Sequence, residues 1–395
     1  MKNRKIIIIG PVWPYRGGIA HHTALLADSL SKDNEVKVVS YKMQYPGFLY
    51  KGKQKEAGSD LFRYGNSTYD IHTLNPFNWI SAARRIKKEK PDLIIVQWWH
   101  IYFAPVYQGI LRALPGNIPV IFICHNIYPH ESKVPLKRIL TRTTLNAGDG
   151  MIVHADAEAE LLKELMPAAR YRKTVLPITN TFKVRNISQK DARDMLGVKE
   201  DAHVLLFFGF IRKYKGLKYL IEAMPKITEA YPDTVLFIVG DFFENDKEQY
   251  VELINESGCG SSIRLVDGYL PDEAVEPYFA ACDALVLPYV SSTQSGIVQI
   301  AYGFSKPVLA SAVGGLPDVI KDGKTGYLFE PENPEAIAES VDRFFRDPDR
   351  DAFMREIEAQ NDLNSWDHMN DVIGELYEEI TIGKEGKKKP HKTGR

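Results

Sequence analysis

The sequence predicts an α/β chain built as two doubly wound, Rossmann-like domains, and three observations carry the prediction. Short all-apolar runs recur along the chain, as central parallel strands covered on both faces require. Amphipathic stretches at helical spacing separate those runs, the pattern of parallel βαβ units with right-handed crossovers. Near residue 204 the strand–loop–helix opening of the N-terminus starts again. A chain of 395 residues with 44% apolar content is long enough to bury two cores.

Each element follows from its local pattern. KIIIIG (5–10) reads as a central strand, GPVWPYRGG as a loop, IAHHTALLADSL (19–30) as a helix and EVKVVSY (35–41) as a second strand. Residues 42–72 are polar and rich in Gly and Tyr, and read as a long functional loop or irregular excursion. FNWISAARRIKKEK is a helix with a cationic end, stopped by Pro91. DLIIVQWWH (92–100) is a strand, 104–114 helical, PVIFICHN (119–126) a strand, LKRILTRTTLNAG helical, GMIVHA (150–155) a strand and DAEAELLKELM helical. In the second half VLLFFG (204–209), TVLFIVG (234–240), IRLVDGY (263–269), ALVLPY (284–289) and PVLAS (307–311) are strands, with helices at 217–227, 246–257, 272–281 and 295–304 between them. The expected divisions are a first domain over 1–180, a linker over 181–203, a second domain over 204–365, a terminal amphipathic helix over 366–382 and a disordered basic tail over 383–395. Within that tail KEGKKKPHKTGR holds five Lys, one Arg and one Glu, net +5, with no apolar residue.

Composition excludes several classes. A net charge of −1 supplies no field to draw the chain to nucleic acid. Cys124, Cys259 and Cys282 are widely spaced and read as reduced core thiols of a cytoplasmic protein, with no metal-ligand spacing. The apolar run at the N-terminus is too short for a signal peptide, and no run approaches a membrane span.

Doubly wound sheets bind ligands outside the carboxyl ends of their strands, so the loops after strands are where chemistry is expected. In PYVSSTQSGIVQIAYGFSKP (288–307) a strand ends, a polar loop runs from Tyr289 to Gln294, and a helix opens near Ser295-Gly296. Small residues at a helix start leave backbone N–H groups open to a phosphate, although an ordinary βα turn has the same look. Gly17-Gly18 precede a helix and suit either a ligand or a tight turn; their spacing is not the dinucleotide fingerprint. CHNIYPHE places His125 at a strand end with His130 and Glu131 close behind, not spaced as a helical zinc pair. GFIRKYKG sets Arg212, Lys213 and Lys215 before a helix start that disfavours positive charge, so Arg212 and Lys215 point to an anionic ligand and Lys213 to solvent. The glycines of GGLPDVIKDGKTG read as turn residues. Trp98, Trp99, Tyr102 and Phe103 form an aromatic cluster that is either core or an acceptor- or lipid-facing surface, with core the weightier reading.

These segments together carry a resemblance. FFGFIRKYKGLKYLIEAM, then VGD, then DGYLPDEAVEPYFAACDALVLPY, then GGLPDVIKDGKTGYLFEPENPEAIAESV, with GGI near the start and a terminal helix at Trp366, resemble a family 4 glycosyltransferase of the GT-B fold. The resemblance covers nearly the whole chain and is strongest over 204–345. It implies two facing domains with an interdomain cleft, and a retaining enzyme that moves a sugar from a UDP- or GDP-sugar to a glycan or lipid-linked acceptor in cell-surface polysaccharide synthesis. Such an enzyme works in the cytoplasm, with a peripheral contact at the inner face of a membrane allowed for, and has no nucleic-acid partner. The resemblance gives Arg212 and Lys215 the donor diphosphate, and 294–297 (Gln294, Ser295, Gly296 and Ile297) the diphosphate and sugar. It sets Gly268 and Tyr269 near the base, counts Gly240 among the donor contacts, and closes Gly17 and Gly18 over the phosphates. His125 would contact the transferred sugar, so that His125, Arg212 and Lys215 form the catalytic set, and the terminal helix would cross back to the first domain. No metal or other cofactor is implied, because cationic side chains and helix N-termini stabilise the charge.

The sequence departs from the family pattern at three places. The two glutamates usual around this loop fall at Ser292 and Ile300, leaving Gln294, Ser295 and Gln299 as polar substitutes. Phe210 holds the position of the family arginine, with Arg212 two further on, an arrangement similar to that of an Arg-x-x-Lys-Gly, Gln-Ser-Gly subgroup. The alternative reading is therefore a nucleotide-sugar-binding homologue without transferase activity, acting as a partner protein. An epimerase of the same fold lacks placeable carboxylates, and an NAD dehydrogenase lacks its glycine fingerprint.

Overall fold

The computed structural model describes all residues except 51, 52, 57, 129–135, 243–245, 361 and 387–395. The chain forms two compact units, Met1–Val175 together with Ser365–Arg395, and Leu176–Asn364.

The first unit contains β1 (Lys5–Ile9), α1 (Gly18–Ser31), β2 (Glu35–Met43), β3 (Ser67–His72), α2 (Pro76–Glu89), β4 (Leu93–Trp98), α3 (Ala104–Arg112), β5 (Val120–Cys124), α4 (Lys137–Leu145), β6 (Gly150–Val153), α5 (Asp156–Leu165) and β7 (Tyr171–Lys173). Its seven strands are ordered β3-β2-β1-β4-β5-β6-β7, and every pairing is parallel. The four isoleucines of β1 and all six residues of β4 are buried, which is why both runs are apolar throughout. The edges read differently. β3 is STYDIH and β7 is YRK, half exposed and mostly polar, so neither has the signature of a buried strand. The stretch 42–72, expected to be irregular, therefore hides an edge strand. Trp98 and Phe103 are fully buried and Trp99 and Tyr102 pack on the same core, which makes the aromatic cluster interior packing.

The second unit contains α6 (Gln189–Met195), β8 (Val204–Phe208), α7 (Leu217–Ala230), β9 (Val235–Gly240), α8 (Lys247–Glu256), β10 (Ile263–Asp267), α9 (Glu276–Ala281), β11 (Ala284–Leu287), α10 (Gly296–Gly303), β12 (Val308–Ser311), α11 (Leu316–Val319), β13 (Gly326–Phe329), α12 (Pro334–Arg346) and α13 (Asp351–Ala359). Its six strands are ordered β10-β9-β8-β11-β12-β13 and are again all parallel.

The expected linker over 181–203 is not one. It carries α6, capped by the Ser188 hydroxyl accepting from the Asp191 amide. Arg193 of α6 is buried and ion-paired with Asp283 at 2.9 Å, while its Nε donates to the Ala281 carbonyl at 3.1 Å. A buried guanidinium with both partners satisfied ties this segment to the second unit. The division falls after Val175 instead of at 180.

The last helix, α14 (Trp366–Gly386), belongs to the first unit and runs past residue 382. Met369, Ile373, Leu376 and Ile380 form its buried stripe at helical spacing. A Cβ on Gly150 would lie only 3.0 Å from the Leu376 and Ile380 methyls, so the helix packs directly onto β6. Arg172 and Lys384 add ion pairs to Glu379 and Asp149, each at 2.8 Å. The remainder of the basic tail, 387–395, lies outside the described residues. Among the described residues no helix is long and apolar enough to cross a membrane.

Candidate functional site

Both sheets reverse their strand order beside their first strand, between β1 and β4 in one unit and between β8 and β11 in the other. At such a switch point the loops leave in opposite directions and open a crevice at the carboxyl edge.

In the second unit the loop after β8 carries the cationic segment and the loop after β11 the small-residue segment Gln294-Ser295-Gly296. They are tied together, since the Val290 amide donates to the Tyr214 carbonyl at 2.8 Å. Arg212 is half-buried just before a 3-10 turn over Lys213–Lys215, and Lys213 is exposed. Lys215 Nζ donates to the Tyr289 hydroxyl at 2.5 Å and lies 4.0 Å from the centre of that ring. Burial, assisted by the neighbouring Arg212 charge, brings the Lys215 ammonium down to about 8. Ser295 is the N-cap of α10 and makes no side-chain cap bond, which leaves the first-turn amides to other partners. A Cβ built on Gly296 would meet nothing within 4 Å, so packing does not demand a glycine there. Ile297 lies beside Gly209 of the β8 loop, 3.6 Å from a Cβ built there.

The remaining donor candidates sit along the same edge. Gly240 ends β9, and a Cβ on it would fall 1.9 Å from the Gly209 carbonyl oxygen; only glycine permits that approach. The Gly268 amide donates to the Gly240 carbonyl at 3.0 Å, and the Tyr269 ring lies 6.2 Å from that of Phe210. A cavity of about 550 Å³ is lined by Leu196, Leu270, Pro271, Ala274 and Tyr278, and neither Arg212 nor Lys215 is among its lining residues. The two glutamate positions have become local structure. Ser292 Oγ donates to the Gln294 carbonyl at 3.2 Å, and Ile300 is buried in α10. Gln299, one residue before Ile300, is buried with its Oε1 unpartnered among the described residues.

In the first unit the loop after β1 reaches Gly17, whose φ of 100° favours glycine, and Gly18 opens α1 with clear space around it. One turn into α1, His22 packs edge-on against His125, ring centres 4.8 Å apart. His154, after β6, lies 5.7 Å from His125, and Trp366 lies 5.2 Å from His22. His125 Nε2 faces Gln97 Oε1 at 2.6 Å, and His154 Nδ1 donates to the Thr174 carbonyl at 2.8 Å. Burial keeps all three rings neutral: it takes His22 to about 3 and His154 to about 4, and holds His125 well below the ordinary histidine range. Glu158 of α5 accepts the Ile127 amide just beyond His125, and burial raises its carboxyl to about 7. His130 and Glu131 lie outside the described residues.

The structure thus brings Arg212 and Lys215 together with the 294–297 turn in one unit, and Gly17 and Gly18 together with His125 in the other. Sequence reasoning passed over Tyr289 as a partner of Lys215, and also His22, His154 and Gln97. The last left a trace, since a glutamine inside LIIVQW is out of place in a buried strand. Among the described residues no group of three or more His, Cys, Asp or Glu is arranged to hold a metal ion.

Two doubly wound parallel domains, each with its switch point beside its first strand, match the fold of GT-B glycosyltransferases. Residues 16–177 match the profile of Glycosyltransferase Family 4, and 188–360 that of Glycosyl transferases group 1. An uncharacterised glycosyltransferase of Methanocaldococcus jannaschii is 33% identical over 376 residues, 87% of this chain and 89% of the relative. The chain belongs to glycosyltransferase family 4. A D-inositol 3-phosphate glycosyltransferase of Corynebacterium urealyticum is 27% identical over 65% of this chain, a match that spans 63% of that relative's length. The fold is shared with a sucrose-phosphate synthase from Thermosynechococcus elongatus, with a TM-score of 0.74, 18% identity, and 96% of this chain and all of that one covered. An Anabaena HepE structure in complex with UDP and glucose has a TM-score of 0.72 at 17% identity, with 95% and 100% covered.

Proposed function

We propose that this glycosyltransferase moves a sugar, with retention, from a UDP- or GDP-sugar to a glycan or lipid-linked acceptor in cell-surface polysaccharide synthesis, without a bound metal. The carrying observation is the pairing of the Arg212–Lys215 turn with the uncapped start of α10 at the switch point of the second sheet. A diphosphate leaving group needs fixed positive charge and N–H donors where charge develops, and these two elements supply both. In this reading Gln294, Ser295 and Gln299 take over from the missing glutamates as neutral partners of the sugar, and His125 serves the transferred sugar. UDP has support from the HepE complex of the same fold. The lipid-linked acceptor has support from exposed apolar side chains on the first unit, Leu74, Phe77 and Ile80 at the start of α2 and Leu136 and Ile139 at the start of α4. Arg84, Lys87 and Lys88 follow on the same exposed stripe of α2, which suits a peripheral contact with an anionic membrane surface.

The test is donor turnover. UDP- and GDP-sugars are screened for thermal stabilisation and for hydrolysis without acceptor. Arg212→Ala and Lys215→Ala are each expected to lower kcat/KM by roughly 2–4 kcal/mol in transition-state terms. Unchanged kinetics in both would place the diphosphate elsewhere. Tight nucleotide binding with no turnover of any donor would favour the partner-protein reading that Ser292 and Ile300 keep open.

A further inference from the structure

We propose that Gln97 is a positioning residue for His125, fixing which ring nitrogen carries the proton. This rests on the reading of His125 as the group that serves the transferred sugar.

The observation is a glutamine where stability asks for an aliphatic residue. β4 is LIIVQW, and each of its side chains is buried. The Gln97 amide meets one partner, Oε1 to His125 Nε2 at 2.6 Å, while its own Nε2 has none among the described residues. A buried amide left half-satisfied costs about 1–3 kcal/mol, and a leucine would carry no such cost. The neighbouring strand makes room for it. Gly10, directly after β1, would place a Cβ 2.6 Å from Gln97 Cγ. The His125 backbone is pinned as well, its amide donating to the Trp98 carbonyl at 2.8 Å.

An amide oxygen only accepts, so His125 Nε2 carries the proton and Nδ1 becomes the ring's acceptor. Among the described residues, the titratable rings packed against that ring are His22 from α1 and His154 from the end of β6, neither of them anionic. Glu158 from α5 is engaged one turn away, on the Ile127 amide. A carboxylate in the place of Gln97 would draw a second proton onto the imidazole; an aliphatic residue would release the tautomer. Glutamine alone of the three gives a neutral ring with a defined acceptor nitrogen.

The experiment uses full-length protein labelled with 15N-histidine. Long-range 1H–15N correlations report each ring's tautomer, and the His125 signals are identified by their loss in His125→Ala. Wild type is expected to show a single Nε2–H tautomer from pH 6 to 8. Gln97→Leu should give a mixed tautomer with urea stability close to wild type, the relief of the half-satisfied amide offsetting the His125 nitrogen left unpaired. Its kcat for whichever of UDP-glucose, UDP-N-acetylglucosamine or GDP-mannose is hydrolysed should fall roughly 10–100-fold, with KM within about twofold. Gln97→Glu should protonate the ring at pH 7 and move the acidic limb of the kcat profile to higher pH. An unchanged His125 spectrum in Gln97→Leu overturns the proposal, as does a changed spectrum with unchanged kcat. Absence of turnover in wild type would instead defeat the transferase reading, with the tautomer result intact.

Discussion

With Lys215 on the donor diphosphate, as proposed, donor binding is expected to depend on pH. The Lys215 ammonium rests on Tyr289, and burial lowers it to about 8. A diphosphate binds the charged form, so affinity is level while the lysine stays protonated. It falls as pH rises through that value, by up to about tenfold per pH unit. Calorimetric titration with UDP-glucose from pH 6.5 to 9 is expected to show a plateau to about pH 7.5 and then the decline. Lys215→Arg should flatten it, because a guanidinium stays charged throughout. An equal decline in Lys215→Ala would assign the effect to another group. Residue-scale legibility divides along the same line. Arg212, Lys215 and His125 stand out in the sequence because a cation before a helix start, or a histidine at a strand end, is anomalous within its own segment. Tyr289, His22 and Gln97 acquire their parts from side chains 74, 103 and 28 positions away, and no local pattern records such meetings.

At the scale of elements, two glycines on one edge of the second sheet have opposite reasons to be glycine. Gly240 is required by packing, since its missing Cβ is the space occupied by the Gly209 carbonyl. Gly240→Ala must spread the ends of β8 and β9 and is expected to cost about 2–4 kcal/mol. Gly296 has open space where its side chain would be, at the first position of α10. Gly296→Ala should therefore keep or gain up to about 1 kcal/mol in stability. It should nevertheless weaken UDP-glucose binding at least tenfold, because the new methyl stands where a phosphate would approach the amides. Urea unfolding and calorimetry separate the two effects. Wild-type affinity in Gly296→Ala would remove the α10 start from the phosphate site. The central strands of both sheets were plain in the sequence because burial on two faces leaves an unbroken apolar run. β3 and β7 were missed because these edge strands keep a polar face, β13 because its four residues, GYLF, follow a glycine turn and are too few to show a period, and α6 because seven residues, QKDARDM, carry too little apolar periodicity to register.

Over the whole molecule, the two-unit construction allows one half to be followed alone. All five tryptophans, Trp13, Trp79, Trp98, Trp99 and Trp366, fall in the first unit. Tryptophan fluorescence during urea unfolding therefore reports on the unit that buries His22, His125 and His154. Those three rings are held neutral in the folded state and regain an ordinary value near 6.5 on unfolding. The unfolded chain then binds more protons below pH 6.5, and stability is lost as pH falls through that window. Between pH 7.5 and 5.5 the three together cost about 4 kcal/mol. Glu158 acts in the other sense. Its carboxyl is raised to about 7 when folded, so acidification over the same range returns about 2 kcal/mol. The net loss expected for the first unit is about 2 kcal/mol at pH 5.5, steepening below that as the Glu158 offset saturates and the histidine cost continues. Two variants resolve the opposing parts. His22→Leu removes a ring whose nitrogens have no partner among the described residues, and should cut the loss by about 1.4 kcal/mol. Glu158→Gln keeps an acceptor for the Ile127 amide and should deepen the loss to nearly 4 kcal/mol by removing the offset. A first-unit transition insensitive to pH between 7.5 and 5.5, in wild type and both variants, would mean that the three rings take up protons as readily in the folded protein as in the unfolded chain.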